Sequence, residues 1–154
     1  MIAVTGYEWL KFLHVLAAIV WVGSSILLQL LGTRAVRSGD PARQAAIARD
    51  AAWAGQFVFG PASLAALGLG IGAVIHADLD WGSGFISAGL ALYVASSVLG
   101  GGVVSQLSKR VVGALDTHGE GSAEFTTQLR RLLLAARLDL LVLLAAVAVM
   151  TLKP

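Results

Sequence analysis

Residues 12–31 are twenty consecutive positions without a formal charge, and at about 1.5 Å of rise per residue a helix of that length reaches across the hydrocarbon of a bilayer. Residues 53–75 and 81–107 are equally free of charge. A backbone in lipid must satisfy its own hydrogen bonds, so each run folds as a helix. A fourth stretch, 132–152, is as long but carries Arg137 and Asp139, whose turns must face protein, water or the interface. With 57% of 154 residues hydrophobic and 13% charged, no room is left for a second, soluble unit. The expected fold is an all-α integral membrane four-helix bundle. It forms a single transmembrane domain over 1–154, with spans at about 9–32, 53–76, 82–107 and 132–152.

Arginine and lysine in the connections set the orientation. Arg34, Arg37, Arg43 and Arg49 follow the first span, and Lys109, Arg110, Arg130 and Arg131 lie between the third and fourth, whereas residues 76–83 hold none. Both basic connections are therefore expected in the cytoplasm and both termini outside. Most of the positive charge, Arg34, Arg37, Arg43 and Arg49, follows the first apolar run, with Lys11 alone before it, which is the reverse of a cleaved signal peptide. The basic pI near 9.4 reports this orientation and gives no support for a nucleic-acid partner.

Within the connections, Asp40-Pro41 and Ser122 have the chemistry of helix starts, so the second and fourth spans are expected to begin as cytoplasmic helical extensions. QLLGTR at 29–34 and QLSKR at 106–110 each close an inward span, a pattern consistent with two similar helical hairpins. Gly60-Pro61 is expected to kink the second span, because proline lacks a backbone donor and crowds the preceding turn. Gly68, Gly70 and Gly72, and Gly100, Gly101 and Gly102, are read as places where helices approach closely.

Polar residues inside these spans need a reason to be there. His14 lies five residues inside Trp9, and His76 lies five residues before Trp81; if both tryptophans mark the outer interface, the two imidazoles reach similar depth and can flank a haem iron. Alternatively His14 hydrogen-bonds a neighbouring backbone or hydroxyl group, and His76 is a wet loop residue. Asp78 and Asp80 add carboxylates beside His76, a shallow set for copper or another divalent ion. Arg137 and Asp139 form a second polar layer toward the cytoplasm, near Gln29 and Gln106. From His14 to Arg34 the helix rises on the order of 30 Å, so the two layers read as a redox or transport path and not as one catalytic cluster.

The stretch WLKFLHVLAAIVWVGS, residues 9–24, resembles the first span of a bacterial integral-membrane family of unknown function related to the copper-resistance protein CopD. It is more distantly similar to the HemJ type of protoporphyrinogen oxidase. The C-terminal RLDLLVLLAAVAVMTLKP is similar to the last span of the same group. The resemblance implies a four-helix bundle in the bacterial cytoplasmic membrane that binds b-type haem or a metal ion through His14. Trp21 and Gly23 match the rest of the first-span pattern, and Arg137 and Lys153 match the last. HemJ-like proteins follow that arginine with Asn-Glu-x-Pro, where this chain has Leu138, Asp139, Leu140 and Leu141, so porphyrinogen oxidation is not implied.

Three functions fit these residues. One is a haem-b protein with a redox or haem-handling role, using His14 and His76 and meeting a redox partner or a second copy of itself in the bilayer. Another is a copper-handling protein using His14, His76, Asp78 and Asp80. A third is a non-catalytic membrane partner whose histidine only packs. Cysteine is absent, which excludes disulfides, thiolate metal sites and covalent haem attachment. No Ser/His/Asp set, carboxylate pair or phosphate loop supports hydrolysis or phosphoryl transfer, and whether the chain is an enzyme stays open.

Overall fold

A computed structural model describes residues 5–152. Helix α1 spans Gly6–Ser38, α2 Pro41–Ala54, α3 Gly60–His76, α4 Gly84–Ser96, α5 Ser105–His118 and α6 Ala123–Leu152. Five-residue and eight-residue π-helical segments, Gly55–Phe59 and Ser97–Val104, join α2 to α3 and α4 to α5. The chain therefore has four long helices, each apolar enough to cross a membrane, and no strand among the described residues.

Local chemistry fixes the helix ends. Thr5 and Glu8 form a reciprocal capping box at the start of α1: the Thr5 hydroxyl accepts from the Glu8 amide, and the Glu8 carboxylate accepts from the Thr5 amide at 2.7 Å. Gly39, at φ 68°, ends the helix in the left-handed region that glycine enters without a Cβ penalty. Asp40 then caps α2, accepting from the amides of Ala42 at 3.0 Å and Arg43 at 3.4 Å, and the Ser122 hydroxyl accepts from Phe125 N at 3.2 Å at the start of α6.

Both caps start the helical extensions expected ahead of the second and fourth spans. Asp40→Ala is expected to lower stability by about 0.5–2 kcal/mol, read as a fall in the thermal midpoint of the detergent-solubilised protein. Asp40→Asn keeps the cap and loses only the exposed ion pair to Arg43, so it should stay close to wild type.

Gly60-Pro61 acts upstream of itself. Pro61 has no amide for the Phe57 carbonyl, and its ring crowds that turn; the backbone widens there, and Gly60 N bonds Gly55 O, five residues back. Where a kink was expected, the structure has a π segment.

Helix α1 packs along α3 and α4 along α6, so the chain is two antiparallel hairpins, joined where α1 meets α6 and where α2 meets α5. The core sits at the arginine-rich end: Ala45, Ala48, Val111, Ala114, Leu115, Phe125, Leu129 and Leu132 interlock α2, α5 and α6. At the other end, Gly6 lies against His76 and Gly89 against Met150, so both ends of the described chain lie at the end of the bundle away from the arginines. There the backbones of α3 and α4 scarcely approach one another. Leu64, Leu138, Leu141 and Ile19 are all exposed, as lipid-facing positions are.

Candidate functional site

The first-span histidine is engaged. Nδ1 of His14 lies 2.6 Å from the carbonyl oxygen of Ala66 on α3; a carbonyl only accepts, so Nδ1 carries the proton, and in the neutral ring Nε2 keeps its lone pair. Gly70, one turn beyond Ala66, makes the approach possible. A Cβ there would stand 3.0 Å from both Cε1 and Nδ1 of the ring.

Seven residues on and hence on the same side of α1, Trp21 meets Tyr93 of α4 edge to face, with ring centroids 5.9 Å apart. This side of α1 thus faces α3 through His14 and α4 through Trp21. Gly23 is exposed, with nothing within 4 Å of where its Cβ would lie, so Trp21 and Gly23 do not share a surface.

His76 lies elsewhere. Its ring is against Gly6 at the end of the bundle, eight residues from His14 along α1, which is about 12 Å of helix. The two imidazoles are not brought face to face. Asp78 occupies the left-handed position that ends α3, at φ 49°, where its amide bonds Ile75 O and the next amide bonds Val74 O. The Asp80 carboxylate accepts from Gly82 N at 2.9 Å. Among the described residues no group of three or more His, Cys, Asp or Glu is placed to hold a metal ion.

Toward the arginine-rich end, Asp139 is paired across the bundle. Ser96, 1% exposed, donates to its Oδ1 at 2.6 Å, and Oδ2 faces Gly100 so closely that a Cβ would lie 3.0 Å away. Arg137 points outward and is exposed. Gln106 lines a shallow groove on the third long helix with Arg110, Val98 and Gly102. Gln29 has both polar side-chain atoms buried, with no hydrogen-bond partner among the described residues. Lys153 lies outside the described residues.

Ala66, Gly70, Tyr93 and Ser96 carry this arrangement and were not among the sequence candidates. Ser96 had only a coarse signal: it lies eleven residues from the end of its apolar run at Leu107 and Asp139 seven from Leu132, which puts a hydroxyl within about one turn in depth of an acid that needs a donor. The Ala66 carbonyl had none, because every residue carries one.

Residues 8–154 match a family described as predicted integral membrane protein (DUF2269). No curated protein and no solved structure matches the chain.

Proposed function

The chain belongs to that integral-membrane family, and from this premise we propose that it binds b-type haem through Nε2 of His14 and has a redox or haem-handling role. One observation carries the reading: the His14–Ala66 hydrogen bond fixes the tautomer that leaves Nε2 as a ligand, the arrangement in which a backbone carbonyl orients a metal-binding imidazole. The ring sits against α3 where Gly70 has no side chain. His76, whose ring lies against Gly6 at the end of the bundle, would not hold the same group as His14.

The resemblance of residues 9–24 to the first span of CopD-related and HemJ-type proteins supports the same ligand. When bound, haem supplies one-electron chemistry. The chain's own part is to hold the imidazole and keep its proton on Nδ1, with the Trp21–Tyr93 ring pair about two turns further along the same side of α1.

Expression in haem-replete cells followed by absorption spectroscopy of the purified protein tests this. A stoichiometric Soret band in the wild type is expected, with a loss of at least tenfold in His14→Ala, while helical circular dichroism and elution volume are unchanged. A colourless wild type overturns the reading, as does a folded His14→Ala variant with its full haem complement. Colourless protein that carries copper, lost in His14→Ala, overturns it in favour of metal handling.

A further inference from the structure

We propose that Asp139 and Ser96 form a reversible proton-binding site inside the membrane, served from the arginine-rich end through Gln29. The argument starts from hydrogen-bond accounting. Asp139 has two oxygens, and only Oδ1 has a donor among the described residues, the Ser96 hydroxyl. Its other oxygen faces Gly100, in the π-helical stretch Ser97–Val104. An ionised carboxylate wants donors or a cation at both oxygens, and one with a single donor in a half-buried place is poorly satisfied. A neutral acid accepts from Ser96 at one oxygen and carries its proton on the other.

Among the described residues no charge nearby supplies the missing partner. On α6 itself Arg137 is two residues away, is exposed and makes no ion pair among the described residues. Helix α1, which packs on α6, has no titratable group between His14 and Arg34. From α4 and the π segment only Tyr93 is titratable, and its ring edges Trp21. Lys109 and Arg110 of α5 lie further toward the arginine-rich end and are exposed.

Gln29 supplies the second, independent observation. Gly32 of α1 lies against Leu133 of α6, and the two helices run in opposite directions. Gln29, three residues from Gly32, is therefore level with Ala136, about 4.5 Å along the axis from Asp139. Its amide oxygen and nitrogen are both buried without a hydrogen-bond partner among the described residues, and buried polar atoms of this kind call for a partner such as water. An amide that both donates and accepts, placed between the acid and the basic end of the bundle, lets a proton reach Oδ2. The step is protonation and release at one carboxylate oxygen, with no electron transferred. It is independent of the haem reading.

A hydrophobic carbodiimide modifies carboxyls that carry a proton in apolar surroundings, so the test is its reaction with the full-length protein in native membranes, mapped by peptide mass spectrometry. Asp139 should be modified at neutral pH, at least tenfold faster than Asp78 or Asp80, with the rate falling as pH rises. Ser96→Ala should move that pH profile, Gln29→Leu should slow exchange with the medium, and Asp139→Asn should leave the α6 peptide unmodified in a folded protein. The proposal is overturned if Asp139 stays unreactive from mildly acidic to alkaline pH while the same peptide reacts after denaturation in acid. Protection by sodium at constant pH also overturns it, and assigns the pair to a cation.

Discussion

Phe125→Ala is expected to destabilise the protein by about 3–5 kcal/mol, the cost of leaving a cavity where a large buried ring was. Phe125 is 0% exposed, in a cluster with Ala45, Ala48, Val111, Ala114, Leu115, Leu129 and Leu132. These residues come from α2, α5 and α6 and interlock three of the four long helices at one end. At the far end the hairpins meet mainly along α1 and α6, so nothing there replaces the lost contacts. Surrounding alanines cannot swing in to fill the space, because they have no rotamers to change. A substitution on the lipid-facing side gives the comparison: Leu138, 58% exposed, should cost no more than about 0.5 kcal/mol when changed to Ala. Thermal unfolding in one detergent, followed by circular dichroism, reads both. Equal midpoints for the two variants would mean that the cluster does not hold the bundle closed.

That the closed end lies outside the charge-free stretches bears on what the sequence could tell. Runs such as 12–31 and 81–107 declare helices because lipid permits little else, and Asp40 and Ser122 mark helix starts by side-chain chemistry that acts over three residues. Both signals are local. The pairing of Asp139 with Ser96 spans 43 positions and depends on which helices are neighbours. Gln29 and Gln106 were natural partners for Arg137 by depth, yet Gln106 and Arg137 are both exposed and Gln29 is buried without a hydrogen-bond partner among the described residues. Helix rotation decides this, and in nearly uniform apolar sequence the rotation has little signature. The glycines divide in the same way: Gly70 and Gly100 give room to His14 and Asp139, while Gly68, Gly101 and Gly102 have nothing within 4 Å of a Cβ. Close approach was legible as a property of the runs, but not which glycine makes it.

Gly70 therefore offers the sharpest way to disturb the first-span histidine without touching it. In Gly70→Ala the added methyl would stand 3.0 Å from two ring atoms, so the imidazole must give by a few tenths of an ångström. In Gly70→Leu the side chain fills the ring's place, and His14 leaves the Ala66 carbonyl. Overpacking of about 1–3 kcal/mol and loss of a hydrogen bond of about 0.5–1.5 kcal/mol then fall on the α1–α3 contact together. The expected result is graded: a modest fall in thermal midpoint for Ala, a large one for Leu, and for Leu at least a tenfold loss of whatever cofactor His14 binds. Gly68→Leu, two residues away on the open side, should change neither quantity appreciably. Rotation of the helix makes these two leucines opposites, so equal behaviour of Gly68→Leu and Gly70→Leu would show that the ring is not held against α3, and with it the tautomer that prepares Nε2 as a ligand would go.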